Sequence, residues 1–145
     1  MVAASAALAL GAVLLTGCTS AEATYDAAVR QGVAAIETAK LAVDQELAGR
    51  TFTPTAITTL GDARRELVDA TGQVAETDAS TAAEAETRAE VLDALGTALE
   101  AVGRARDAVA SGVGSLGGVV PQLEDAAEEL SALEQRPTPG SGGDG

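Results

Sequence analysis

The sequence predicts an all-α fold: an antiparallel bundle of three long helices plus a short fourth helix, after a cleaved N-terminal signal helix. Along three segments, apolar residues recur at alternating spacings of three and four, the pattern of helices that pack against neighbours. Short turns join these segments, so consecutive helices should run antiparallel. Alanine, the best helix former, supplies 27 of the 128 residues from position 18 onward, and no segment shows the alternation typical of a strand.

The first helix is expected to begin beside residue 20. Thr19-Ser20-Ala21-Glu22 fits a capping box, in which the Thr and Glu side chains bind the free backbone N–H groups of the first turn. Gly49 is a stop signal. The predicted apolar stripe consists of Val29, Val33, Ile36, Lys40, Val43 and Leu47.

The second helix is expected to have Thr53 as its N-cap, with Pro54 at the first helical position. It should end before a turn over residues 77–80. Its predicted stripe consists of Ile57, Leu60, Arg64, Leu67, Thr71 and Val74.

The third and longest helix should begin at the capping box Thr81-Ala82-Ala83-Glu84 and run to about Ala110. Its predicted seam consists of Leu92, Leu95, Leu99, Val102, Arg106, Val109 and Val113. Beside the seam, small residues recur every seven positions, and we interpret this row as a place of close helix approach. The row consists of Ala89, Gly96, Gly103 and Ala110.

A glycine-rich break over residues 112–118 is interpreted as a flexible joint, after which Pro121 starts the short fourth helix. The apolar face of this helix holds Leu123, Ala126, Leu130 and Leu133. The bundle domain is assigned to residues 18–135, and the Pro/Gly-rich residues 136–145 are expected to be a disordered tail. A coiled-coil oligomer is the alternative, but stripes of about three heptads interrupted by glycines favour an intramolecular bundle.

The only cysteine of the chain follows an uncharged run from Met1 to Gly17. Leu15-Thr16-Gly17-Cys18 resembles the lipobox of bacterial lipoproteins, which reads aliphatic, small, small, Cys. The resemblance implies that residues 1–17 are a signal peptide removed by signal peptidase II. It also implies that Cys18 carries a lipid with fatty acyl chains such as palmitate. The chain would then be anchored to the cell membrane at its extracytoplasmic face.

Two alternatives to the lipobox are a membrane-spanning helix and an ordinary secretory signal cut near Ala9 or Ala12. Two glycines and six alanines make the run only moderately apolar, which argues against the spanning helix. Export signals normally open with Lys or Arg, and this run does not, so we expect a start codon further upstream.

Composition argues against several classes of function. A net charge of −13 opposes nucleic acid and anionic lipid head groups. The chain has no histidine, and the lipid would consume Cys18, so the common nucleophile–base pairs are missing. Lys40, the only lysine, is an amine nucleophile candidate, but a surface-reaching side chain at a helix edge is favoured. We therefore expect no enzyme activity and no cofactor.

Charged clusters leave two further hypotheses. Lys40, Arg64 and Arg106 each fall on an apolar seam, so they either form a polar layer inside the bundle or lie at the seam edges with their charges in water. The second is favoured. Acidic clusters near Glu84 and near Glu124 would hold Ca²⁺ weakly, but solvated faces with ordinary i,i+4 ion pairs are favoured, and no metal site is predicted.

The sequence as a whole resembles the small, alanine-rich, acidic lipoproteins of high-GC Gram-positive bacteria. We expect a non-enzymatic binding or spacer module of the cell envelope, with another envelope protein or a basic wall component as partner. The alternative is a lipoprotein that carries a small apolar or cationic ligand between its helices, in space left by Ala89, Gly96 and Gly103.

Overall fold

The computed structural model describes residues 20–136. The signal peptide assigned to residues 1–17, with the lipobox residues Leu15, Thr16 and Gly17, lies outside the described residues, as does Cys18. The lipid anchor therefore stays a prediction. Residues 137–145 of the predicted tail also lie outside the described residues, but its first residue, Arg136, is described and pairs with Glu90, so the tail prediction is wrong at that residue.

The prediction of an all-α bundle is confirmed. The helices are α1 (Ala21–Leu47), α2 (Thr53–Glu76), α3 (Ala82–Ser111) and α4 (Val120–Glu134), with a 3₁₀ helix (Val113–Gly118) before α4. They are 27, 24, 30 and 15 residues long, which gives three long helices and a short fourth. Residues 20–136 contain no strand.

Three helix ends follow the sequence signals closely. Thr81 and Glu84 form the predicted capping box, in which the Thr81 hydroxyl accepts from the Glu84 N–H at 3.1 Å. Gly49 adopts a left-handed conformation with φ of +63° and ends α1 as predicted. Its N–H and that of Arg50 donate to the carbonyls of Glu46 and Gln45, which is the Schellman arrangement. The fourth helix begins one residue before Pro121.

Two predicted caps are displaced by one residue. The N-cap of α1 is Ser20, whose hydroxyl accepts from the Ala23 N–H at 3.2 Å, and not Thr19. The N-cap of α2 is Phe52, so Thr53 lies inside the helix. The Thr53 hydroxyl donates instead to Glu46 of α1 at 2.6 Å, a tertiary bond that replaces the local cap.

Helices α1 and α3 form the central pair of the bundle. Both contact α2 on one side and α4 on the other, while α2 and α4 do not touch each other in the described chain. Side-chain bonds fix the directions: Arg88 near the start of α3 donates to the Val74 carbonyl near the end of α2, and Arg136 after α4 pairs with Glu90 of α3. Consecutive helices are therefore antiparallel, and α1 and α3 run parallel.

The buried face of α3 differs from the predicted seam. Leu95, Val102 and Val109 are buried as predicted, but Leu92 and Leu99 are only partly buried. The centre of the buried face of α3 is shifted toward Val91 and a run of alanines. The reason is that α3 contacts three other helices and therefore buries a wide stripe. The buried alanines of α3 are Ala94, Ala98, Ala101, Ala105 and Ala108.

The small-residue row of α3 does not mark a close helix approach, so that prediction is wrong. Ala89 and Ala110 are exposed, and a Cβ built on Gly96 or Gly103 would meet no atom within 4 Å. The close approach lies at Gly32 of α1, where an added Cβ would come 2.8 Å from Leu95 Cδ2.

The glycine-rich segment before α4 is a 3₁₀ helix and not simply a flexible joint. It follows Gly112, whose φ of +110° is a conformation that favours glycine. Leu116 within it is fully buried, so the segment is packed against the core.

Candidate binding cavity

A cavity of about 340 Å³ lies at one end of the bundle. The start of α1, the start of α3 and the end of α4 meet there because α1 and α3 run parallel and α4 runs against them. The cavity is lined by Glu22, Tyr25, Asp26, Val29, Thr81, Ala83, Glu84, Thr87, Val91, Leu133 and Arg136.

The cavity owes its shape to a difference in side-chain size along α3. At the level of the cavity, Val91 is the only large apolar side chain that α3 contributes, and Ala83 and Thr87 are small. Further into the bundle, Leu95 of α3 and Leu130 of α4 both lie against Gly32, where a Cβ would be 2.8 and 3.3 Å from them. The three helices are therefore in contact there, and the space opens only toward the end of the bundle.

Tyr25 is the most distinctive residue of the cavity wall. It is the only tyrosine of the chain and its side chain is almost completely buried. Its hydroxyl has no hydrogen-bond partner among the described residues. A buried hydroxyl without a partner is unfavourable, so a ligand that bonded to it would gain binding free energy.

The rim of the cavity is acidic. Three carboxylates and one guanidinium line it, a net charge of −2. Glu84 is engaged in the capping box, where it accepts from the Thr81 N–H at 3.2 Å, and it also accepts from the Ser80 N–H at 2.6 Å. Arg136 is paired with Glu90. Glu22 and Asp26 are exposed and form no ion pair with any other described residue.

The three basic residues on the predicted seams do not come together. Arg64 and Arg106 are exposed, and the half-buried Lys40 pairs with Glu37 one turn earlier at 3.0 Å. The hypothesis of an internal polar layer is therefore wrong. The favoured placement at the helix edges matches the structure.

Among the described residues, no group of three or more Asp and Glu side chains is placed to hold a metal ion. None of the helices between residues 20 and 136 has both the length and the apolar composition needed to cross a bilayer.

The opposite end of the bundle, where α1 turns into α2, carries exposed apolar side chains. Phe52 is 82% exposed and Leu47 is 43% exposed. Beneath them, Glu46 is buried, with one carboxylate oxygen bonded to Thr53 and the other without a partner among the described residues.

The cavity does not follow from the apolar stripes, although the sequence carries one signal of it. Residues 81–90 contain no Leu, Ile, Val or Phe, yet they form the first turns of a helix that is central to the bundle. Opposite them, α1 presents the large apolar ring of Tyr25. A segment without large apolar side chains that packs at an end of a bundle leaves space there.

Comparison of the chain with known family models, with curated proteins and with solved structures found no match.

Proposed function

We propose that this chain is a surface lipoprotein, anchored through a lipid on Cys18 to the extracytoplasmic face of the cell membrane, and that its bundle is a non-enzymatic binding module of the cell envelope. The observation that carries the proposal is the lipobox-like Leu15-Thr16-Gly17-Cys18, which stands directly before the bundle. Only Thr19 separates Cys18 from Ser20, the N-cap of α1.

This short connection has a consequence for orientation. Two residues of extended chain span at most about 7 Å, so a lipid on Cys18 would hold the start of α1 close to the membrane. The cavity, which α1 helps to form at its start, would then lie at the membrane-proximal end. Phe52 and Leu47, at the end of α1, would point away from the membrane toward a partner in the envelope.

The chemistry of the chain supports binding over catalysis. There is no histidine to activate a hydroxyl nucleophile, the single lysine is paired with Glu37, and the lipid would occupy the only thiol. A lipid anchor of two or more acyl chains holds stably, so the acidic bundle needs no basic patch to stay at the membrane.

The anchor is tested by expressing the full chain in a Gram-positive host supplied with a palmitate analogue that can be tagged. The wild-type chain and a Ser20→Ala control should take up the analogue and sediment with membranes, whereas Cys18→Ala should take up none. An unlabelled wild-type chain that is correctly exported would contradict the proposal. A Cys18→Ala chain that stays in the membrane at full length would favour a membrane-spanning helix. Cleavage of the chain near residue 9 or 12 would favour an ordinary secretory signal.

The partner is tested by cross-linking the protein on living cells of its source. One envelope protein recovered in near-stoichiometric yield with the wild type, and lost with Phe52→Ser, would support docking at the exposed end. Recovery unchanged by Phe52→Ser would place the contact elsewhere on the bundle. Recovery of no partner would count against an adaptor role.

The cavity favours a second candidate function, a lipoprotein that carries a small ligand between its helices. The space lies beside Tyr25. The sequence had suggested a different place, beside the small residues Ala89, Gly96 and Gly103 of α3. A ligand present in an extract of the cell envelope should raise the melting temperature of the protein, because binding to the folded state alone stabilises it. No rise with any extract would count against this function.

A further inference from the structure

The size and walls of the cavity suit a small organic molecule with an apolar body. Its volume of about 340 Å³ falls in the range of small-molecule sites, which are mostly apolar and carry few polar groups. The large apolar side chains of its lining are Val29, Val91, Leu133 and the ring of Tyr25, of which Leu133 is the most exposed.

The charges at the rim of the cavity determine which sign of ligand charge is favoured. Glu22 and Asp26 lie one helical turn apart on α1, so their carboxylates share a face of the helix at the rim. Neither is neutralised by an ion pair with a described residue, and Arg136 is already engaged by Glu90. A cation placed between the two carboxylates would be attracted by both.

The helix dipoles do not reverse this preference. The N-termini of α1 and α3 at this end each carry a partial charge of about +0.5, and the C-terminus of α4 carries about −0.5. Their sum is smaller than the charge of −2 on the lining side chains. The first turns of α1 and α3 are also capped by Ser20 and by the Thr81–Glu84 box, which leaves fewer N–H groups for an anion.

The buried hydroxyl of Tyr25 is the second, independent indication of a ligand. It is buried and has no hydrogen-bond partner within residues 20–136, and it belongs to a residue that lines the cavity. A tyrosine hydroxyl both donates and accepts hydrogen bonds, so a ligand whose binding uncovers this group would give it a partner of either kind.

We infer that the cavity binds an amphipathic amine, whose apolar body lies against Tyr25, Val29, Val91 and Leu133 and whose ammonium group lies between Glu22 and Asp26. This inference rests on the ligand-carrying function proposed above. It does not depend on the lipid at Cys18.

The test uses three probes with the same six-carbon chain: hexylammonium, 1-hexanol and hexanoate. The full chain is labelled with 3-fluorotyrosine and placed in nanodiscs of zwitterionic lipid. Because Tyr25 is the only tyrosine, the ¹⁹F spectrum holds one protein resonance, and it reports on the cavity. Hexylammonium should shift this resonance saturably and bind about tenfold more tightly than hexanoate, with hexanol between them.

Paired variants separate the rim from the overall charge of the protein. Glu22→Gln with Asp26→Asn should abolish most of the preference for hexylammonium over hexanoate and leave the affinity for hexanol unchanged. Asp125→Asn with Glu128→Gln removes the same two charges from exposed positions on α4 outside the cavity lining, and it should keep the preference. Far-UV circular dichroism checks that both variants are folded.

Each contrary result would overturn a different part of the proposal. Hexanol binding as tightly as hexylammonium would keep a ligand carrier but overturn the assignment of an amine, as would an equal loss of preference in both paired variants. No saturable shift with any probe would overturn the binding site altogether. Uptake of the palmitate analogue is measured in parallel and tests the lipid anchor independently of the ligand site.

Discussion

Two levels of the same three helices differ in how closely they pack. At Gly32, α1 lies against Leu95 of α3 and Leu130 of α4 with no room for a methyl group. Seven residues earlier, at Tyr25, the same helices surround a cavity of about 340 Å³. Each helix is continuous through both levels, so we attribute the difference to the smaller side chains of α3 at the level of Tyr25.

We call the level of Gly32 the closed level and the level of Tyr25 the open level, and we expect the first to contribute more to stability and the second to binding. Contact at Gly32 buries leucines completely, and such burial is the main source of stability in a small helical protein. The open level contributes less to stability and leaves space for a ligand. The following substitutions test this division, from the largest expected effect to the smallest.

Truncation of a leucine should cost far more at the closed level than at the open one. Leu95→Ala removes a fully buried side chain and should lower the free energy of unfolding by about 2–5 kcal/mol. Leu133→Ala, at a partly buried position in the cavity wall, should lower it by about 1 kcal/mol. Urea unfolding followed by circular dichroism measures both, and equal losses would contradict the comparison.

Addition of a side chain at the closed level should also destabilise the protein. Gly32→Leu would force the side chain into Leu95 and Leu130 and should cost about 1–3 kcal/mol. Gly96→Leu is the matched control, since a Cβ at this helical position meets nothing within 4 Å. It should raise the free energy of unfolding by about 0.5–1 kcal/mol through its better helix propensity. A stabilising Gly32→Leu would show that this level is not closed.

At the end of the bundle opposite the cavity, the hydrogen bond between Thr53 and Glu46 should contribute to stability although Thr53 is exposed. Thr53→Val removes the only described hydrogen bond to the buried carboxylate of Glu46 and should cost about 1 kcal/mol. Thr58→Val is the control, because that hydroxyl bonds only to the Pro54 carbonyl in its own helix. The control should change stability by less than about 0.5 kcal/mol. Equal effects on thermal unfolding would assign Glu46 no role in joining α1 to α2.

The smallest effect is expected from Tyr25→Phe. The hydroxyl has no partner among the described residues, so its removal breaks no hydrogen bond that they form. The free energy of unfolding should stay within about 0.5 kcal/mol of the wild type or rise slightly. A loss above about 1 kcal/mol in urea unfolding would reveal a partner for this hydroxyl.

Local signals predicted the helices well, because they depend on a few neighbouring residues. Thr81 with Glu84 begins α3 through a side-chain cap, and Gly49 ends α1 because a residue without a side chain adopts the left-handed conformation easily. The cap at Ser20 is one residue from the predicted Thr19 because either hydroxyl suits this role, whereas Phe52 takes the N-cap position of α2 without a side-chain hydrogen bond. At Thr53 the winning partner, Glu46, belongs to another helix.

Tertiary packing could not be predicted from the stripes alone. The sequence shows that α3 has an apolar face, but the choice between Val91 and Leu92 depends on where three neighbouring helices lie. For the same reason the glycines of α3 suggested a close approach that occurs instead at Gly32. The cavity follows from this packing, and only the missing apolar residues at positions 81–90 indicated it beforehand.

The most direct test of the open level is the substitution Thr87→Leu, which adds apolar volume inside the cavity. Thr97→Leu, at a half-buried position of the same helix outside the cavity lining, corrects for the change in helix propensity. If the level is open, Thr87→Leu should raise the free energy of unfolding by about 1 kcal/mol more than the control does. A decrease of about 1 kcal/mol or more relative to the control would mean that the helices are already in contact at Tyr25, and the account of the cavity would be wrong.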